Sequence, residues 1–195
     1  MRSAAGVGGH VTVIGGGLAG SEAAWQAAQA GCTVDLWEMR PEVMTPVHRS
    51  GALAELVCSN SLGSDLVDRP LGLLKAELRL LGSLLLQCAE RAAVPAGSAL
   101  AVDRELFAAE VTRRLMEHSR VSVRRGEVQR ISDDRPCIVA TGPLTSARLA
   151  EDIQRIAGEE WLHFYDAMAP IVSVESINME PVSYTHLTLP TIYSV

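Results

Sequence analysis

Apolar positions in this chain come in short β-branched runs and in longer stretches of helical spacing. Residues 10–14 (HVTVI) form a short β-branched apolar run that ends at glycines, the pattern of a buried strand. Residues 21–28 (SEAAWQAA) are strong helix formers, Gly31 ends that helix, and residues 33–37 (TVDLW) predict a second strand that stops at Glu38. Residues 39–120 do not read as one crossover helix. Arg40-Pro41 and Thr45-Pro46 break regular structure, and residues 54–64 (AELVCSNSLGS) end in small polar residues. Residues 71–93 predict one helix with Leu74, Leu78, Leu81 and Leu85 on a common face. Asp103 is a candidate N-cap for a further helix carrying Leu106, Phe107, Val111 and Leu115. Residues 121–123 and 127–131 predict strands around Arg124-Arg125-Gly126, and residues 137–143 predict a buried strand running into Ala-Thr-Gly. Alternating strands and helices of this kind indicate an α/β, Rossmann-type fold.

The first strand, turn and helix carry candidate chemistry. Gly15, Gly16, Gly17, Leu18, Ala19 and Gly20 read as GxGxxG between strand and helix, and Glu38 closes the second strand. The first glycine allows a tight turn, the second lets backbone approach a diphosphate, and the third allows close helix packing. The helix N-terminus offers unpaired N–H groups to phosphates. A carboxylate at Glu38 can accept hydrogen bonds from ribose hydroxyls. The fingerprint alone does not separate FAD from NAD. The strand ending in Ala140-Thr141-Gly142 resembles the second motif of two-dinucleotide-motif flavoproteins, and Glu127-Val128 resembles their adenine-facing segment. That resemblance implies FAD and adds Val128, Thr141 and Gly142 to the cofactor-binding candidates.

Composition narrows the picture a little. The 195 residues suffice for one domain with a sizeable core. A net charge of −6 gives no general attraction to nucleic acid or to an anionic membrane. Lys75 is the single lysine among 17 basic residues, and the arginine excess carries no functional weight. Cys32, Cys58, Cys88 and Cys137 form no CxxC pair, so neither a zinc site nor a redox pair is indicated. Charged residues from Lys75 to Arg91 interrupt the most apolar stretch, which predicts a core helix and no membrane span. The first ten residues lack a signal-peptide core, and a cytosolic location is expected.

Longer segments are more specific. VIGGGLAGSEAAWQAA (13–28), LWEMRPEVMTPVH (36–48), AELVCSNSLGS (54–64), VPAGSALAVDRELF (94–107), VATGPLTS (139–146) and FYDAMAPIVSVESI (164–177) resemble the folate- and FAD-dependent tRNA (uracil-5-)-methyltransferases, the TrmFO family. The resemblance implies transfer of a one-carbon unit from 5,10-methylenetetrahydrofolate to C5 of a T-loop uridine of tRNA. FAD would be the cofactor and NAD(P)H the reductant. Such chemistry calls for a thiolate that adds to C6 and makes C5 nucleophilic. Cys58, in the motif CSNS, is then the catalytic candidate, against the alternative of a packing cysteine. Cys32, Cys88 and Cys137 are expected in the core. His48 matches the histidine of the TP.H segment and would bind folate or shuttle a proton, or else be a hydrogen-bonded loop residue. Arg104 matches a family segment near the flavin, as a phosphate or ring contact or as part of a helix-start ion pair.

Members of that family are longer, so the chain is expected to be an N-terminal, inactive fragment. Residues 1–181 would be the N-terminal part of an incomplete FAD-binding domain. Residues 182–195 (VSYTHLTLPTIYSV) hold no charged residue but two of the three tyrosines. They read as the translation of a transposase sequencing adapter, and are expected to form no part of the fold. Two other readings stay open: an FAD-dependent oxidoreductase of a small molecule, and a nucleotide-binding module without catalysis.

Overall fold

The computed structural model describes residues 8–158. The family-like segment 164–177 and the expected adapter tail 182–195 lie outside the described residues.

The βαβ unit forms where the pattern places it. Strand β1 (His10–Ile14) leads through the glycine turn into helix α1 (Leu18–Gln29), and β2 (Thr33–Glu38) returns parallel to β1. Helix α1 turns Ala24 and Ala28 inward, and these small side chains let it lie close to the sheet. Beyond β2 the chain builds β3 (Ser61–Ser64), helices α2 (Pro70–Leu80) and α3 (Leu84–Arg91), β4 (Ala93–Val94), β5 (Ala99–Val102) and helix α4 (Arg104–Glu117). It then rejoins the first sheet with β6 (Val121–Arg125) and β7 (Cys137–Val139), and α5 (Ala147–Ala157) is the last element among the described residues. The parallel sheet runs β6-β2-β1-β7, and β3-β5-β4 form a small antiparallel sheet. One core joins them: Val13, Val34 and Leu36 from the sheet meet Leu84 and Cys88 of α3 and Phe107, Val111 and Leu115 of α4. Asp103 caps α4 as expected, accepting from the N–H groups of Glu105 and Leu106 at 3.0 Å each. No helix among the described residues is long and apolar enough to cross a membrane.

Four local expectations are corrected. Residues 71–93 form two helices, not one. Gly82 turns the chain with φ +73°, and Ser83 Oγ then caps α3 by accepting from Leu86 N–H. Glu22 of α1 accepts from Leu84 and Leu85 N–H (3.2 and 3.0 Å) and from Ser83 Oγ–H (2.9 Å), so a side chain some sixty residues away holds the start of α3. The expected leucine face is not buried as a unit: Leu74 and Leu81 are exposed, while Gly72 and Lys75 are buried. A Cβ on Gly72 would lie 1.8 Å from the Leu66 carbonyl oxygen, and Lys75 Nζ donates to the carbonyls of Leu62 and Leu71.

Residues 127–131 form no strand. Strand β6 instead runs on to pair Arg125 with Glu38, and Gly126, at φ +134°, carries the chain off the sheet. Strand β7, expected to be buried over residues 137–143, stops at Val139 and leaves Ile138 and Val139 exposed. The chain then passes through Ala140 into a 3-10 turn at Gly142–Leu144.

Candidate functional site

The glycine turn is shaped by its neighbours. Gly15 sits at φ +102°, and a Cβ there would meet the Ala140 carbonyl oxygen at 2.6 Å. The first turn of α1 rests on the loop itself, because a Cβ on Gly20 would stand 1.7 Å from the Gly15 carbonyl oxygen. Gly16 is held on both sides: its N–H donates to Glu38 Oε2 at 2.9 Å and its carbonyl accepts from Ala54 N–H at 2.8 Å. Gly17 differs from these three. Its backbone is extended at φ −71°, and a Cβ would meet nothing within 4 Å. It is also the N-cap of α1, without a side-chain cap and without an acidic residue in the first turn. The first N–H groups of α1 are therefore left for an anion.

Behind the turn lies a buried charge network. Arg40, 2% exposed, donates through its backbone N–H and Nε to Glu38 Oε1 (3.0 and 2.9 Å) and through Nη2 to Glu38 Oε2 (3.1 Å). Its Nη1 reaches Glu55 Oε2 at 3.0 Å and the Ser50 carbonyl at 3.2 Å. Burial pushes the Glu38 carboxyl up, but hydrogen bonds from Arg40 and Gly16 outweigh it and hold Glu38 below its ordinary range. Glu55 is likewise held low: the N–H of Arg49, the hydroxyl and N–H of Ser50, and Arg40 outweigh its partial burial. A carboxylate offers about four acceptor positions, and Glu38 receives four hydrogen bonds inside the protein. A ribose hydroxyl would have to share one of those oxygens.

The residues around this network line a cleft of about 90 Å³ that opens to solvent. Of the sequence candidates, Gly15, Gly16, Gly17, Glu38, His48, Val128 and Thr141 line it, together with Met39, Arg40, Thr45 and Ala140. His48 Nδ1 and Thr45 Oγ1 share a hydrogen bond of 2.6 Å, and the same hydroxyl oxygen accepts from His48 N–H at 3.2 Å. Partial burial, then the positive charge of Arg40, lowers the affinity of His48 for a proton, so the neutral imidazole is favoured.

Leu18, Ala19 and Gly20 stand behind the turn on α1, and Gly142 lies in the 3-10 turn beside the cleft; none of these lines it. Cys58 and Arg104 lie elsewhere, and together. Cys58 is exposed on the loop before β3, and its carbonyl accepts from Arg104 Nη2 at 3.0 Å. Asn60, two residues on, exchanges hydrogen bonds with Val102, which ties the loop to β5. Among the described residues Arg104 makes no ion pair at the start of α4, and it fixes the loop that bears Cys58. The other thiols are less open: Cys88 is buried, and Cys32 and Cys137 are half-buried.

Sequence reasoning missed Arg40, Glu55 and Thr45. The available signal was the EMRP string itself, which places an arginine two residues beyond the acid that ends β2. Nothing in the string says that this arginine is buried.

Comparison with known proteins adds descent to this geometry. The family described as "Glucose inhibited division protein A" matches over residues 10–191. A curated relative named methylenetetrahydrofolate–tRNA-(uracil-5-)-methyltransferase TrmFO, from Symbiobacterium thermophilum, is 60% identical over 173 residues, covering 89% of this chain and 39% of the relative. Relatives of the same name from Moorella thermoacetica and Pelotomaculum thermopropionicum are 57% and 58% identical over 86% and 87% of this chain. The chain thus spans about two-fifths of the length of the relatives it matches.

Proposed function

Because the chain belongs to the glucose inhibited division protein A family, we propose that it is the N-terminal, cofactor-holding part of an FAD-dependent tRNA (uracil-5-)-methyltransferase. The observation that carries this reading is the 60% identity, over 89% of the chain, to a relative of that name. The partners are then tRNA at its T-loop, 5,10-methylenetetrahydrofolate as carbon donor and NAD(P)H as reductant, in the cytoplasm.

The residues present fit a dinucleotide. Open space over Gly17, the uncapped start of α1 and the cleft beside Glu38 make a cradle for a diphosphate with its ribose. In this reading the N–H groups of Leu18, Ala19 and Gly20 receive the diphosphate, Val128 lies against the adenine, and Thr141 and Gly142 face the flavin side. When bound, FAD supplies the reducing equivalents that turn a methylene into a methyl group. Cys58 supplies the nucleophile: its thiolate adds to C6 of the uridine and forms a carbon–sulfur bond. The electron pair displaced from the C5–C6 double bond would then form a bond from C5 to the one-carbon unit, whose bond to its donor nitrogen breaks with the electron pair left on that nitrogen. Loss of the C5 proton and departure of the thiolate restore the ring. The Arg104 and Asn60 contacts hold the Cys58 backbone while the side chain stays open to solvent.

The test is made on the full-length protein. Purified protein supplied with unmodified tRNA, methylenetetrahydrofolate and NAD(P)H should form 5-methyluridine and carry flavin absorbance. Oxidation of NAD(P)H with no methylation of tRNA would favour a small-molecule oxidoreductase instead.

A further inference from the structure

The candidate roles for His48 so far are folate binding, proton transfer and that of a hydrogen-bonded loop residue, and its bonds to Thr45 fit the last. We infer that His48 is instead a cofactor-binding residue, which holds the ribose–diphosphate part of the dinucleotide through Nε2. The inference rests on the FAD reading above and assigns a side chain within it.

Three observations carry it. First, His48 lines the same cleft as Gly15, Gly16, Gly17 and Glu38, the residues that mark the diphosphate and ribose ends of a dinucleotide in this kind of fold. The reacting ring of such a cofactor lies beyond the diphosphate, away from the acid that ends β2. Thr141 of the flavin side lines the same cleft, but the charged groups that act on His48 are Arg40, Glu55 and Glu38, and Arg40 ties down Ser50 and Glu55 of the segment that bears it, which groups the imidazole with the acid end and not with the site of proton transfer.

Second, Glu38 has no acceptor position to spare, since Arg40 and Gly16 fill all four. The cleft needs another polar group to fix the ribose–diphosphate, and Thr45 occupies only Nδ1 of His48. Among the described residues Nε2 has no hydrogen-bond partner. When the Thr45 hydroxyl donates to Nδ1, Nε2 carries the proton and can donate to a phosphate or ribose oxygen.

Third, the segment bearing His48 is anchored to Arg40 and to the glycine turn. Arg40 holds Ser50 and Glu55, Glu55 accepts from Arg49 and Ser50, and Ala54 N–H donates to the Gly16 carbonyl. Residues 40–54 thus form a strap fixed to the glycine turn, and a strap held there positions the imidazole before the cofactor arrives.

The experiment is titration of the full-length apoprotein with FAD, read by flavin fluorescence, for wild type, His48→Ala, His48→Asn and Thr45→Val. His48→Ala should raise the FAD Kd by about tenfold or more, the loss expected for a hydrogen bond to a charged or strongly polar oxygen. His48→Asn, which keeps a donor, should lie between, and Thr45→Val should weaken FAD less than His48→Ala. At saturating FAD the KM for methylenetetrahydrofolate should stay at the wild-type value. A Kd for His48→Ala within about twofold of wild type overturns the inference. So does a defect that persists at saturating FAD as a raised folate KM or a lost kcat. Should His48→Ala not fold, wild-type Kd values for both His48→Asn and Thr45→Val overturn it as well. Wild-type protein that takes up no FAD overturns the reading beneath it, which a defect confined to the variants does not.

Discussion

Replacing Arg40 with Met tests the buried network with the least ambiguity. Methionine keeps much of the apolar stem and deletes the guanidinium, so packing changes little and charge changes completely. Glu38, 5% exposed, would lose two of its four hydrogen bonds, those from the guanidinium, and keep those from the backbone N–H groups of Gly16 and residue 40. Glu55 is better placed, since Arg49 and Ser50 still donate to it. The cost therefore falls mainly on Glu38. Stranding one buried charge costs about 3–5 kcal/mol at pH 7, against a total stability of about 5–15 kcal/mol for a domain. The pH dependence fixes the sign. In the wild type Glu38 and Glu55 are held below their ordinary range, so their contribution is complete above the unfolded carboxylate pKa and is lost as pH falls through the folded values. In Arg40→Met the lowering from the guanidinium is gone and burial raises Glu38, so its native state takes up a proton more readily than the unfolded chain. The deficit relative to wild type should shrink as pH is lowered from 7 toward 5. Urea unfolding followed by circular dichroism at both pH values measures this, and Glu38→Gln added to Arg40→Met should recover part of the loss. A deficit below about 1 kcal/mol, or one equal at both pH values, would refute the stranded-charge reasoning.

The glycine turn makes a paired prediction. Gly17→Ala meets nothing within 4 Å and should change the unfolding midpoint little while abolishing flavin absorbance; Gly20→Ala, whose Cβ would stand 1.7 Å from a backbone oxygen, should prevent normal folding with or without FAD. Glu22→Ala removes the acceptor that holds the start of α3 and should lower stability by about 1–3 kcal/mol in the same urea assay, because two helix N–H groups lose their partner; an unchanged midpoint would show that Ser83 caps the helix unaided. Cys58→Ala should abolish 5-methyluridine formation in the full-length protein and leave FAD uptake and NAD(P)H oxidation intact, whereas retained methylation would reduce Cys58 to a surface residue.

What the chain specifies by itself is local. The β1–turn–α1–β2 unit follows from a β-branched run, glycines where only small residues fit, and an alanine-rich helix, so its elements fall within three residues of the pattern. Helix α4 was legible for the same reason, since Asp103 caps its own next turn. The break between α2 and α3 was not legible, because apolar spacing runs on through Gly82 and the acceptor that favours a new helix at Leu84 is Glu22 on α1. The run at 127–131 has strand-like composition, but β6 completes the pairing with β2 and leaves that segment beside the cleft. The cleft itself is a tertiary product: His48, Val128 and Thr141 come from separate segments, and they meet because β7 returns beside β1. Arg40 shows the limit most clearly. A charged side chain can be buried only where partners offset its desolvation, and here Glu38 is two residues away but Glu55 is fifteen, brought back by a strap that the folded glycine turn holds in place.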